Sequence, residues 1–270
     1  MTERKHMENI AERSILVLMK AVPSMEHLVI SDHGEINRNS QDLEWNEADR
    51  TALETALRLK DESGARVTVL SMGPEKLRDS FQELIETGID EAVLIAGRSF
   101  AGSDTYATAS VLASFVNMRG GFDLILAGRR SLDGETGQVP GELAGLLDIP
   151  YVSNAEDVHV KEMTITARRR LEETVEELEV QTPAAVSMIE YSCRLRSPSL
   201  AMKRAARERT VLLLSESDIP LSGMRTGRSG SLTEVISSSL CRVGVRNGPK
   251  TDNREEGISF ILRKMREANR

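Results

Sequence analysis

Aromatic side chains are scarce in this chain: one Trp, three Tyr and five Phe among 270 residues. Single-stranded nucleic acid is gripped by stacking bases on such rings, so a base-stacking platform is excluded. Any planar ring the protein meets is held by backbone and aliphatic groups. A basic surface is missing as well. The net charge of -7 and a pI near 5.4 argue against a nucleic-acid partner, whose phosphates need cations to neutralise them. No apolar run approaches the ~20 residues of a bilayer span. The start, Met1-Thr2-Glu3-Arg4-Lys5-His6-Met7-Glu8, carries charges with no apolar signal core behind them. The expectation is a cytoplasmic protein without direct membrane insertion.

Cysteine is almost absent. Cys193 and Cys241 form no C-x-x-C and suit a reducing compartment where both stay thiols, as plain structural residues. His6, His27, His33 and His159 show no ligand spacing, so no protein-bound metal is expected. Catalytic signatures are missing too. There is no G-x-x-x-x-G-K-[ST], no G-x-G-x-x-G after the first strand and no G-x-S-x-G; Ser103, Ser131 and Cys193 lack a His at motif spacing. Acidic residues are numerous but show no pairing that would set catalytic carboxylates apart from a solvated face. A binding scaffold fits these absences better than a hydrolase.

What is present is an alternation of short apolar strands with helices. Ser14 to Met19 is a continuous apolar run with β-branched members, as in a strand buried on both faces. Val22 to Asn39 reads as an extended excursion or hairpin with a turn signal at Asp32-His33-Gly34. Asn46 then caps a helix in which Ala48, Ala52, Leu53, Ala56, Leu57 and Leu59 recur at helical spacing, ending near Ser63 before Gly64. Further strands fall at Arg66 to Ser71, Glu91 to Ala96 and Asp123 to Ala127. Helices fall at Glu75 to Glu86 with Gly88 as stop, from a Ser103-Asp104 cap to Met118, and at Val139 to Leu147. Parallel strands need crossover connections of this kind, so the first 150 residues predict a doubly covered parallel sheet.

After Ile149-Pro150 the pattern changes. Val158 to Leu171 and Val175 to Thr182 read as charge-rich antiparallel strands, and Ala184 to Ile189 as a further buried one. Pro198 to Arg209 is a basic amphipathic helix. Ser222 to Ser239 is rich in Ser and Gly, and Glu255 to Asn269 places Ile258, Ile261, Leu262 and Met265 on one helical face. The predicted organisation is an N-terminal extension over 1–13, an α/β nucleotide-binding domain over 14–210 with its antiparallel extension at 151–190, and an arm over 211–270 that wraps another chain.

The loop Gly128-Arg129-Arg130-Ser131-Leu132-Asp133-Gly134-Glu135-Thr136-Gly137-Gln138, leading into Val139, carries the most information. It follows a parallel strand, at the edge where open α/β sheets bind ligands and where the next helix offers unpaired N–H groups to a phosphate. Thr136 and Gln138 can add side-chain hydrogen bonds and Arg129 a forked contact. A polar turn whose glycines supply positive φ remains the alternative. Met19-Lys20-Ala21-Val22-Pro23, Ser71-Met72-Gly73-Pro74 and Asn46-Glu47-Ala48-Asp49 converge on the same edge, which favours a nucleotide pocket.

These residues resemble electron-transfer flavoprotein β subunits from Ile15 to about Arg209. The blocks that carry the likeness are V-L-M-K-A-V-P, N-E-A-D-R-T-A-L-E-T-A-L-R-L-K, V-T-V-L-S-M-G-P, E-T-G-I-D-E-A-V-L-I, A-G-S-D-T-Y-A-T-A, D-L-I-L-A-G-R-R-S-L-D-G-E-T-G-Q-V-P-G-E-L-A and T-P-A-A-V-S-M. The resemblance implies a parallel-sheet fold of the adenine nucleotide α-hydrolase-like (HUP-type) class. It implies AMP or a second FAD on residues matching Leu18, Asn46, Glu47, Ala48, Asp49, Met72 and Gly128 to Val139. It further implies an FAD shared with an α subunit in a heterodimer, and electrons arriving from a flavin dehydrogenase such as an acyl-CoA dehydrogenase. The chain would then be an electron carrier rather than a stand-alone enzyme.

The compact D-G-E-T-G-Q-V-P-G leans toward the electron-bifurcating subgroup, with a second FAD and use of NADH. Departures from the family pattern are Glu47 and Ala48 in N-E-A-D, Arg129 for the usual lysine, Gly137 for the usual alanine, an early Pro140, and Arg169-Arg170-Leu171-Glu172-Glu173-Thr174 in place of R-E-x-x-G-G. The dehydrogenase-docking segment matches Cys193 to Ala205, with Leu200, Met202 and Lys203 as docking residues; Leu200 reads equally well as a helix core residue. Two other readings stay open: a nucleotide-binding α/β protein of the stress-protein or ATP-pyrophosphatase type without flavin redox function, and an interaction subunit that has lost redox use.

Overall fold

β-branched and leucine-rich segments too short for helices build a single large sheet, and its order fixes where a ligand can sit. The computed structural model describes residues 13–24, 43–221, 223–236 and 253–268. The turn signal at 32–34, Cys241 and nearly all of the N-terminal extension lie outside the described residues.

The strands are β1 (Ser14–Leu18), β2 (Ala21–Pro23), β3 (Leu43–Trp45), β4 (Arg66–Met72), β5 (Glu91–Ile95), β6 (Leu124–Gly128), β7 (Tyr151–Lys161), β8 (Thr164–Arg170), β9 (Val175–Gln181), β10 (Ala184–Met188) and β11 (Leu212–Leu214). The main sheet has the order β11-β5-β4-β1-β6-β10-β7-β8-β9. Its first seven members run parallel and the β7-β8-β9 end antiparallel. β2 and β3 pair antiparallel as a separate ribbon; the excursion predicted over Val22 to Asn39 lies outside the described residues beyond residue 24, and β3 follows its end.

The helices are α1 (Glu47–Ser63), α2 (Phe81–Ile85), α3 (Thr105–Met118), α4 (Val139–Leu147), α5 (Leu200–Ala206), α6 (Gly227–Gly230) and α7 (Arg254–Ala268). Side chains of α1 and α2 join Val17, Val67 and Val69 in one apolar cluster, while those of α3 and α4 join Leu16, Leu70 and Ile125 in another. Successive strand residues point to opposite faces, so the sheet is covered on both sides as its continuous apolar strands require. Gly64 ends α1 in the left-handed region at φ 74, its N–H donating to Lys60 O.

Several boundaries differ from expectation. The helix predicted over Glu75 to Glu86 is broken into a 3-10 turn at Glu75–Arg78 and the short α2, although Leu77, Phe81, Leu84 and Ile85 are all buried as the stripe demanded. Trp45 packs edge-on against Phe81, ring centroids 5.1 Å apart, and donates its Nε1 proton to Ser80 O, so a tertiary contact occupies the carbonyl at the break. The strand read over Val158 to Leu171 is two: β7 begins at Tyr151 and turns at Glu162-Met163, with Glu162 at φ 53. That two-residue turn uses Glu where Asn or Gly is usual, so composition hid it. β11 comes from residues read as arm; it pairs with β5, and Ile219 and Leu221 pack into the α3 and α4 cluster.

Beyond β11 the chain is fastened at Asp104. Its carboxylate caps α3 by accepting from the Ala107 N–H and also accepts from the Leu232 and Thr233 N–H groups and the Thr233 hydroxyl, at 2.7 to 3.0 Å. Asp104→Ala is expected to lose the cap, worth about 0.5–2 kcal/mol, and to free 231–233. Denaturant unfolding with hydrogen exchange at those amides measures both. Unchanged exchange at Leu232 and Thr233 would show that Asp104 does not hold the tail.

Candidate functional site

The sheet order reverses between β1 and β6: from β1 the chain crosses by α1 to β4 on one side, while β6 on the other side is reached only after α3. In open α/β sheets the crevice at the carboxyl ends of such a pair is where ligands bind. The residues predicted for a nucleotide meet there.

Four tie points hold this edge together. The Asp49 carboxylate, buried in the first turn of α1, accepts from the Lys20 N–H at 2.8 Å through Oδ2 and from the Gly128 N–H at 2.9 Å through Oδ1. Asn46 makes no side-chain cap hydrogen bond, contrary to expectation. Its Nδ2 donates to Arg130 O at 2.9 Å and its Oδ1 accepts from the Leu132 N–H at 3.3 Å. The residue sits where a cap would, but the loop claims its amide. Lys20 Nζ reaches Ser131 Oγ at 2.9 Å and Asp133 Oδ1 at 2.7 Å. Finally, Gly128 lets α1 touch β6. A Cβ there would fall 2.7 Å from Ala48 Cβ and 2.8 Å from Ala48 C, and nearer still to Asp49 Oδ1.

The loop then rises into α4 through left-handed residues, Glu135 at φ 50 and Gly137 at φ 63, followed by Gln138 in the right-handed region. Consecutive backbone N–H groups in such an alternation converge as a nest for an anion, and the N-terminus of α4 adds its dipole. Glu135 N–H is spent on Ser131 O, but among the described residues no backbone acceptor faces the N–H of Thr136, Gly137 or Gln138. Gly134 and Thr136 are exposed along the outer side. Leu18 is buried at the end of β1, Met72 half-buried at the end of β4, and Glu47 half-buried beside Ala48. Val139 packs against the α3 and α4 cluster.

Arg129 and Arg130 both pair with Glu190. Arg129 Nε lies 2.8 Å from Glu190 Oε2, poorly aligned for a hydrogen bond, and Arg130 Nε donates to Glu190 Oε1 at 3.2 Å. Burial acts to raise the Glu190 carboxyl, but its own N–H and the two arginines bring it below the usual carboxylate range. Both arginines line a cleft of about 300 Å³ with Thr136 and Gly137 of the nest and with Tyr151, Asn154 and Ser187.

Asp49 behaves differently. Burial pushes its pKa up from 3.8 to about 7, against the hydrogen bonds from Lys20, Asn46 and Gly128 and the charge of Lys20.

Sequence reasoning missed Glu190, the functional side of Lys20, and Thr105 with Glu142. Thr105 Oγ1 lies 3.2 Å from Gln138 Oε1 and 3.0 Å from Glu142 Oε1, joining the first turns of α3 and α4 beside the nest. These partners are 33 to 113 residues apart in sequence, so spacing carries no signal for them.

The predicted docking residues sit at the other end of the sheet. Lys203 Nζ lies 3.7 Å from Glu86 Oε2 and Met202 covers Gly88, just before β5 begins. Leu200 is 77% exposed, which removes the core alternative for it. Cys193 sits half-buried against Thr51 and Thr55, its thiol pushed up by burial, as an inert side chain would be. Among the described residues no cluster of three His, Cys, Asp or Glu is placed to hold a metal, and no helix is long and apolar enough to cross a membrane.

Comparison with known proteins agrees with this geometry. The model of the electron transfer flavoprotein domain matches residues 34–215. The electron transfer flavoprotein subunit beta of Clostridium acetobutylicum is 34% identical over 255 residues, covering 94% of this chain and 98% of the relative. That of Thermoanaerobacterium thermosaccharolyticum is 32% identical, covering 93% and 97%. The caffeyl-CoA reductase-Etf complex subunit CarD of Acetobacterium woodii is 34% identical, covering 83% and 86%.

Proposed function

We propose that this chain, which belongs to the electron transfer flavoprotein family and is similar along nearly its whole length to the family's β subunits, works in the cytoplasm as one half of an αβ heterodimer. The heterodimer carries electrons from a flavin dehydrogenase to a redox acceptor. The observation that carries the nucleotide part of this reading is the Gly137-Gln138 nest at the start of α4, at the sheet's switch point, with its loop fastened to β1 and α1 by Lys20, Asn46 and Asp49. Among the described residues three N–H groups there, those of Thr136, Gly137 and Gln138, have no backbone acceptor and are open to a phosphate.

In this reading the residues that hold the nucleotide are Leu18, Asn46 to Asp49, Met72 and the loop from Gly128 to Val139. Arg129, paired with Glu190, lines the cleft beside Thr136 and Gly137. The short path from Asp133 to Gln138 supports a second FAD over AMP, and with it reduction by NADH. The FAD shared with the α subunit supplies the one- and two-electron chemistry. This chain's residues bind, orient and exclude water. The relative named as a caffeyl-CoA reductase-Etf subunit supports a CoA-ester dehydrogenase as electron partner. Leu200, Met202 and Lys203 are the surface proposed to meet it, and the stripe on α7 the surface proposed to meet the α subunit.

The test is co-expression with the α subunit, then anaerobic titration of the purified complex. The expected result is a flavin spectrum bleached by NADH. Bleaching only by a reduced dehydrogenase would retain the carrier and remove bifurcation. A well-folded complex without flavin would remove the carrier as well.

A further inference from the structure

Asp49 is the one side chain that reaches both loops flanking the switch point. It is 6% exposed, and each of its oxygens accepts a backbone N–H from a different strand end: Lys20 beyond β1 and Gly128 at the end of β6. The two loops have no other common partner of this kind among the described residues. The Lys20 side chain holds Ser131 and Asp133 farther along, so the loop after β6 is clamped twice, once by Asp49 at its root and once by Lys20 nearer its tip.

The geometry points to Asp49 as a positioning residue for the nucleotide: ionised, it holds the roots of both loops so that the nest is formed, and on taking a proton it holds them more weakly. The inference rests on the nucleotide reading of this edge. An ionised carboxylate gives both N–H groups a charge-assisted acceptor; a carboxylic acid carries its proton on one oxygen and accepts more weakly from both, so the ties lose strength on protonation. The groups that face Asp49 are few. Lys20 presents a positive charge and is itself paired with Asp133, α1 presents the Asn46 amide, and the two strand ends present the Lys20 and Gly128 backbone N–H groups. Burial with so little opposite charge is why Asp49 ionises about where cells hold their pH, at about 7 instead of 3.8.

The sign follows from linkage. Folded Asp49 holds its proton to higher pH than the unfolded chain does, so its favourable contribution to stability is fully present below about 3.8 and is lost as pH rises through about 7. Folding alone therefore favours the protonated form, whereas the tied, binding-competent loop requires the ionised one. Stability and nucleotide affinity should move in opposite directions across that range.

The experiment uses the full chain. First, carboxyl carbon NMR of the wild type follows Asp49 while amide resonances follow Lys20 and Gly128. A shared midpoint near neutral pH is expected, and an Asp49 that titrates in the ordinary carboxylate range would overturn the proposal. Second, AMP and FAD affinities are measured by calorimetry on wild type and Asp49→Asn at matched pH, so that the phosphate's own titration cancels. Wild-type affinity is expected to fall roughly tenfold as Asp49 protonates, the scale of one charge-assisted hydrogen bond. Asp49→Asn should bind weakly with no such dependence. An Asp49→Asn chain that keeps the wild-type profile would overturn the proposal even if both nucleotides bind. A wild type that binds neither removes the nucleotide reading itself, a result distinguishable because the NMR midpoint is read without ligand.

Discussion

Gly128→Ala is expected to strip the chain of its nucleotide and to cost about 1–3 kcal/mol of stability, the range for forcing extra volume into a close-packed site. The added Cβ has nowhere to go. Two of its nearest neighbours are Ala48 Cβ and the Ala48 backbone carbon, neither of which is the movable end of a flexible side chain, and the third is the buried oxygen of Asp49. The relief available is for α1 to lift from β6, which breaks the Gly128 N–H bond to Asp49 and carries Asn46 away from Arg130 and Leu132. Both consequences are measurable, by denaturant unfolding and by nucleotide released from the purified protein. Gly145→Ala is the matched control. It lies inside α4 with nothing within 4 Å of the added carbon, and should leave the nucleotide in place while adding up to about 1 kcal/mol. Equal nucleotide loss in both variants would mean that the close approach of α1 and β6 is not what shapes the site.

The second large effect is expected at α7. Ile258, Ile261, Leu262 and Met265 recur at helical spacing and are 49% to 59% exposed, so the helix presents an apolar stripe that the described residues do not bury. Replacing Ile261 and Leu262 together by Asp should weaken the heterodimer at least about 100-fold. Two buried aliphatic side chains are worth about 1.5–3 kcal/mol each, and each 1.4 kcal/mol is tenfold. Thermal unfolding of the isolated chain should not change, because these side chains are largely solvent-exposed in it. Sedimentation of the mixed subunits reads the first effect and calorimetry the second. Intact assembly with both aspartates present would move the partner surface elsewhere.

Much of the scaffold could be read from the residues because its signals are local. Continuous apolar runs such as Ser14 to Met19 and Asp123 to Ala127 mark strands buried on both faces, and α4 begins and ends where its pattern does. Asp104 caps α3 as its side chain suggested. What escaped depends on partners distant in sequence. Three leucines at 212–214 make too short a run to declare a strand, and their place beside β5 is settled by tertiary pairing. Asn46 was read as a cap because caps are local, yet its amide is taken by a loop some 84 to 86 residues away. Arg129 pairs with Glu190, just past the end of β10, a partner that no spacing announces. The location of the site was legible in the glycines and small polar residues of one loop. The fastening of that loop was not, because it is built from Lys20, Asp49 and Asn46 on other elements.

The central claim is that the loop from Gly128 to Gln138 holds a nucleotide belonging to this chain, beside the flavin shared with a partner. The most direct measurement is acid release and chromatographic identification of the small molecules carried by the co-purified heterodimer, for wild type and for Gly137→Val, where φ of 63 and the Arg129 carbonyl 3.0 Å from the added carbon oppose any side chain. Two nucleotides per heterodimer are predicted for the wild type, with the second lost and the first kept in the variant. A folded wild-type heterodimer that releases only one, or a variant that keeps both, would contradict the account.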